Sequence, residues 1–214
     1  MITTPAGAAW PGYAHAAEGV LASVVQVRAG EGHADVRQGS GVVWSRTADG
    51  GVLVVSNAHV TNRKPVRVLS SAGTGYAAAL LCADAARDLS LMYVPNGGDD
   101  LVPARHAAGP RLRVGELVVA VGHPFGVRNA VSTGVVHAIG PLIVDAALPS
   151  PQRDLDWVQV DMRLGPGSSG GPLVNAAGNV VGISTMIVDG LALGVPRHAV
   201  DEFMAAAVAR VSIQ

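Results

Sequence analysis

Gly165-Pro166-Gly167-Ser168-Ser169-Gly170-Gly171-Pro172-Leu173 sets a serine pair among glycines and leads directly into a strand-like run. Glycine tolerates φ > 0 and carries no Cβ, so a carbonyl group can approach the main chain closely. Backbone N–H groups freed in this way can hold a developing negative oxygen, which is what an oxyanion hole requires. Taken alone, such a Gly/Ser/Pro cluster is more often a tight loop. A catalytic reading therefore depends on what the rest of the chain supplies to a serine.

Two upstream segments supply it. Val54-Val55-Ser56-Asn57-Ala58-His59-Val60 runs an apolar strand into a histidine, and Arg87-Asp88-Leu89-Ser90-Leu91-Met92-Tyr93-Val94 opens a strand with an aspartate. A serine hydroxyl needs a neutral imidazole to take its proton and a carboxylate to hold that imidazole in the right tautomer. Read singly, His59 is an ordinary strand-end histidine and Asp88 an ordinary turn residue. Together, in the order histidine, aspartate, serine, they match a chymotrypsin-type triad.

The chain resembles the HtrA/Deg branch of trypsin-like serine proteases from about residue 23 to residue 196. The resemblance is carried by Gly39-Ser40-Gly41-Val42-Val43, Ser56-Asn57-Ala58-His59-Val60, Arg87-Asp88-Leu89, Gly122-His123-Pro124-Phe125-Gly126, Pro166 through Leu173, and Gly182-Ile183-Ser184-Thr185. It implies a serine endopeptidase acting through an acyl-enzyme, with His59 as general base, Asp88 as its orienting partner and Ser169 as nucleophile. The N–H groups of Gly167 and Ser169 are the implied oxyanion hole. Ser184 matches the family serine beside the triad aspartate, and Arg163, Leu164, Ile183, Ser184, Thr185 and Met186 are the implied pocket. Three positions depart from the family pattern: Ser168 and His123 replace asparagines, and Arg163 replaces a small residue. An Arg163 guanidinium turned into the pocket selects acidic side chains; turned outward, the favoured reading, it leaves an aliphatic pocket. The competing function is a silent or resting protease-fold protein that binds or holds clients. An esterase is a third reading, without the Gly-x-Ser-x-Gly elbow common in that chemistry.

Composition fits one enzyme-sized unit. The 214 residues are 49% apolar and 14% charged, with 27 glycines and 13 prolines spread along the chain, as many short strands and turns require. A net charge of −1 offers no field for nucleic acid. The single cysteine, Cys82, forms no disulfide within the chain, which fits a bacterial-type relative. No Cys/His cluster has metal-ligand spacing, and a triad of this kind calls for no cofactor. The N-terminus lacks the pattern of a signal peptide, and no apolar run is long enough to cross a bilayer. The expectation is a cytoplasmic protein if Met1 is the natural start, and a periplasmic or secreted one if a leader has been removed. Substrates are proteins or peptides. By resemblance, the arm Trp10-Pro11-Gly12-Tyr13 is a candidate trimer contact, and the PDZ domain common in the family is not expected within this sequence.

Patterning predicts an all-β fold with a C-terminal helix. Residues 1–19 read as an N-terminal arm. Strands are expected at 20–28, 39–45, 51–57, 65–69, 76–82 and 89–94, within a first unit at 20–110. A second unit, 111–195, has strands at 117–121, 130–139, 142–145, 157–160, 171–174 and 180–186 with 191–195. Two strand sets of similar size suggest two six-stranded antiparallel barrels of the chymotrypsin/trypsin type, with the site in the cleft between them. From 196 to 213, Ala199, Val200, Phe203, Met204, Ala207 and Val208 form a helical apolar stripe.

Overall fold

A computed structural model of the chain describes residues 12–31, 36–106, 112–142 and 155–211. Trp10 of the expected arm contact and residues 143–145 of an expected strand lie outside these.

Among the described residues, twelve strands close into two antiparallel barrels. The first contains β1 (Val24–Ala29), β2 (Arg37–Arg46), β3 (Val52–Ser56), β4 (Val66–Leu69), β5 (Gly75–Asp84) and β6 (Leu89–Val94), ordered β1-β2-β3-β6-β5-β4. The second contains β7 (Leu117–Gly122), β8 (Ala130–Gly140), β9 (Trp157–Asp161), β10 (Pro172–Val174), β11 (Val180–Val188) and β12 (Leu191–Pro196), ordered β10-β11-β12-β9-β8-β7. Closure leaves each sheet without an edge strand. Between β10 and β11 the hairpin is tied by Asn175, whose Oδ1 accepts the N–H groups of Ala177 and Asn179 at 3.0 and 3.1 Å.

Side chains alternate across a strand, yet Val24-Val25, Val42-Val43 and Val54-Val55 are buried at both members. Val25, Val43 and Val54 fill the first barrel, whereas Val24, Val42 and Val55 belong to a separate core shared with Val119, Val121, Val174 and Ile183 of the second barrel. These doubled valines therefore carry two cores on one strand, and the shared core fixes the barrels' relative position. Burial on that scale stabilises by roughly 1.5–3 kcal/mol per large apolar side chain.

Two helices seal this shared core. α1 (Gly12–Glu18) contributes Ala16 and Ala17, and Tyr13 packs against the same cluster. Thus the tyrosine of the expected trimer arm is used within its own chain. The C-terminal helix α3 (Arg197–Val211) follows Pro196, and it buries Ala199, Val200, Phe203, Met204 and Ala207. Val208, the last position of the expected stripe, is 46% exposed.

Two expectations need correction. Residues 20–23 are not strand: Leu21–Ser23 form a 3-10 turn in which the Ser23 N–H bonds the Val20 carbonyl at 2.8 Å. Val20 is buried there because the turn places it in the shared core. Leu142 lies past the end of β8, the rest of that expected strand falls outside the described residues, and the second barrel reaches six strands by counting β11 and β12 separately.

Candidate active site

His59 lies in a single helical turn, α2 (Ala58–Thr61), that leaves the end of β3. Asn57 stands at the N-cap position but makes no cap bond; its Nδ2 donates instead to the Asp88 carbonyl at 2.8 Å. The Ala58 N–H donates to the same carbonyl at 3.2 Å, and Ser90 Oγ donates to the Asn57 carbonyl at 3.1 Å. Two main-chain segments distant in sequence are thereby clamped together.

Asp88 completes the clamp with a left-handed backbone, φ 52°, a conformation uncommon outside glycine. The preceding turn holds it there. Asp84 Oδ1 accepts the N–H groups of Ala86 and Arg87, and Arg87 bridges Asp84 to Glu202 of α3. The Asp88 carboxylate accepts three hydrogen bonds: the His59 N–H to Oδ1 at 3.0 Å, His59 Nδ1 to Oδ2 at 2.7 Å, and Thr185 Oγ1 to Oδ2 at 2.5 Å. Its side chain is 5% exposed, against 42% for His59. A buried, triply bonded carboxylate favours the proton on Nδ1 of the imidazole, leaving Nε2 as a base facing the more open side.

Ser169 follows the glycine loop of the second barrel. A trans peptide directs its C=O and N–H to opposite sides, so the carbonyl partners of this loop fix its N–H directions. The Pro166 carbonyl accepts the Phe125 N–H at 2.9 Å, and the Ser168 carbonyl accepts the Gly171 N–H at 3.1 Å. Ser184 Oγ adds a second bond to the Ser168 carbonyl at 3.1 Å. The N–H groups of Gly167 and Ser169 therefore point the other way, and neither donates to another of the described residues. Two unused donors flanking the serine have the form of an oxyanion hole. Glycine is needed at 167 because its φ is 101° and a Cβ would lie 2.7 Å from the His123 carbonyl oxygen. Gly170 is tighter still, with φ 88° and a Cβ position 2.1 Å from the Ser40 carbonyl oxygen.

The Ser169 hydroxyl itself donates to the Thr185 carbonyl at 2.6 Å. No hydrogen bond joins it to His59 in this conformation, so the histidine and aspartate are engaged while the serine is turned to β11.

The remaining expected residues divide. Ser184 is not beside Asp88; Thr185 is. Successive residues of a strand face opposite ways, and Ser184 turns its hydroxyl to the Ser168 and Gly171 carbonyls instead. Ile183 is fully buried in the shared core and offers no surface to a pocket. Leu164 is half-buried against the second-barrel core, Met186 is half-buried at the shared core, and Arg163 is exposed.

Two residues carry more than the sequence suggested. His123 is 1% exposed, and its Nδ1 accepts the Asn129 N–H at 3.3 Å. Burial, reinforced by the nearby Arg128 charge, pushes its pKa down to about 4, against a smaller upward pull from the Val24 main chain. Ser40 is fully buried and touches the glycine loop directly; a polar residue between two glycines of a strand was the only sequence sign of it. Among the described residues no group of three or more His, Cys, Asp or Glu side chains is placed to hold a metal, and no helix is long and apolar enough to cross a membrane.

Comparison with known proteins places this geometry in context. The trypsin-like peptidase domain model matches residues 39–183. The chain is 34% identical over 171 residues to mitochondrial serine protease HTRA2 of Bos taurus, a match covering 79% of this chain and 36% of that protein. It is 37% identical over 169 residues to serine protease HTRA1 of Xenopus laevis, covering 78% of this chain and 35% of the relative. The matched region thus spans about a third of these relatives' length. Among solved structures, the HtrA-type protease AlgW with a tripeptide superposes with a TM-score of 0.78 at 28% identity, over 92% of this chain and 63% of the other. A serine endoprotease from Yersinia pestis shares the fold, with a TM-score of 0.75 at 23% identity over 97% of this chain and 68% of the other.

Proposed function

This chain belongs to the trypsin-like peptidase family, and from that premise we propose that it is a serine endopeptidase of HtrA type acting on protein substrates through an acyl-enzyme. The observation that carries the reading is the convergence of three parts on one cleft: the His59–Asp88 pair, Ser169, and the free N–H groups of Gly167 and Ser169.

The cycle begins with the Ser169 hydroxyl rotating from the Thr185 carbonyl to His59 Nε2. As Oγ attacks the scissile carbonyl carbon, its proton passes to Nε2 and the carbonyl electrons move onto oxygen. The Gly167 and Ser169 N–H groups hold that oxyanion, and Asp88 stabilises the imidazolium formed beside it. His59 then returns the proton to the departing amine nitrogen as the C–N bond breaks. Water, deprotonated by His59, releases the acyl group and restores the serine. The resting contact with Thr185 makes serine rotation part of every turnover.

For the side chain before the cleaved bond we propose an aliphatic preference. Leu164 and Met186 present apolar surface, and Arg163 is exposed, which suits a long side chain turned outward to solvent. Cleavage of an unfolded protein should therefore be lost in Ser169→Ala and His59→Ala variants that remain folded. Client binding without cleavage by the wild type would favour the holding reading, and cleavage confined to simple esters would favour an esterase.

A further inference from the structure

Ser40 belongs to β2 of the first barrel, yet its hydroxyl and its N–H make their hydrogen bonds to the second. Its Oγ accepts the His123 N–H at 2.9 Å and donates to the Gly167 carbonyl at 2.7 Å. Its own N–H donates to the Ser169 carbonyl at 2.7 Å. One buried residue thus holds both ends of the Gly167–Ser169 segment and the turn packed beneath it. A hydroxyl is suited to the middle of this bridge because one atom both donates and accepts. The space is built around it: a Cβ at Gly122 would stand 2.9 Å from Ser40 Oγ.

We propose that Ser40 is a positioning residue that sets the oxyanion hole from the opposite barrel, an inference resting on the serine-peptidase reading above. Its hydroxyl fixes the Gly167 carbonyl, and with it the torsion that places the Gly167 N–H relative to that of Ser169. Through the His123 N–H it also holds the turn whose Phe125 N–H orients the Pro166–Gly167 peptide. Hydrolysis thereby depends on the seating of the two barrels, because the nucleophile loop takes its shape from a strand of the barrel that carries the base.

The test compares wild type, Ser40→Ala, Ser40→Cys, Ser40→Thr and Ser56→Ala in the full chain. Ser56 is the control, since its Oγ donates to the Ser40 carbonyl at 2.6 Å and makes no hydrogen bond to the loop. The readouts are kcat and KM on a fluorogenic peptide, and affinity for a peptidyl trifluoromethyl ketone whose tetrahedral adduct places an oxyanion in the hole. Removing a whole oxyanion donor typically costs about 10²–10³ in kcat; misplacing one should cost on the order of 10–100-fold. Ser40→Ala is expected to lower kcat by that factor with KM within about twofold, and to weaken the ketone by the same factor as kcat/KM. Ser40→Cys preserves shape with a weak hydrogen-bonding group, so it should reproduce the loss and gives the same readout if the alanine variant does not fold. Ser40→Thr retains the hydroxyl and should recover most of kcat. Folded Ser40→Ala or Ser40→Cys protein with kcat within twofold of wild type overturns the proposal, as does an equal loss in Ser56→Ala. A wild type inactive towards peptide and ketone alike overturns the peptidase reading itself, and this inference with it.

Discussion

Replacing Asp88 by asparagine isolates the electrostatic and tautomeric role of the carboxylate from its shape. The carboxylate accepts the His59 main-chain N–H at Oδ1, and both His59 Nδ1 and Thr185 Oγ1 at Oδ2. An amide provides one acceptor where there were two. With its oxygen at the Oδ1 site, the new NH₂ faces His59 Nδ1 and donates to it, which moves the imidazole proton to Nε2. That nitrogen then cannot take the Ser169 proton. With the amide reversed, the NH₂ opposes the His59 main-chain N–H and a buried donor is left without an acceptor. The first arrangement removes the base, the second keeps the right tautomer only at the cost of two opposed donors, and in both the negative charge that stabilises imidazolium is gone. In triads of this type the loss is about 10⁴ in kcat, or about 5.4 kcal/mol of barrier. The assay is steady-state hydrolysis of a fluorogenic peptide, with thermal unfolding to confirm that the variant folds. A folded Asp88→Asn protein losing less than tenfold would refute the assignment of Asp88 as the orienting carboxylate.

Stability should respond to His123, whose pKa of 6.5 falls to about 4 on folding, chiefly through burial. Above pH 6.5 the imidazole is neutral in both states; between pH 6.5 and 4 the unfolded chain binds the proton first, so stability falls with falling pH. The loss levels off below pH 4 at about 3 kcal/mol, and denaturant titrations across this range should show a limb that His123→Asn flattens. Phe203→Ala should destabilise by about 3–5 kcal/mol, because the ring belongs to the shared core under α3, and hydrogen exchange should locate the lost protection in that helix. Peptide-library profiling should give cleavage after aliphatic residues; dominant cleavage after Asp or Glu would show that Arg163 turns into the pocket.

Much of the fold was legible because strand and turn signals are local. The valine runs marked β2 and β3. The sequence did not show that paired valines serve two cores, since that depends on how the barrels meet. His59, Asp88 and Ser169 were readable from their flanking residues, and the structure brings the first two into direct contact. Choosing between Ser184 and Thr185 required the facing of β11, which two adjacent hydroxyl residues leave open until the neighbouring strands are known. Ile183, a pocket residue by resemblance, points into the core, which the same facing decides. Ser40 is separated from Gly167 by 127 positions, so its bond to that loop is a property of tertiary structure alone. The rotation of the Ser169 hydroxyl to Thr185 is likewise a conformational choice that residue identity does not encode.

The most direct test of the account is covalent labelling with a fluorophosphonate probe, comparing wild type with Ser169→Ala and locating the adduct by mass spectrometry. An assembled triad predicts rapid modification at Ser169 alone, absent from the alanine variant and slowed in Asp88→Asn. A folded wild type that forms no adduct at Ser169, or one labelled equally in the Ser169→Ala variant, would contradict it.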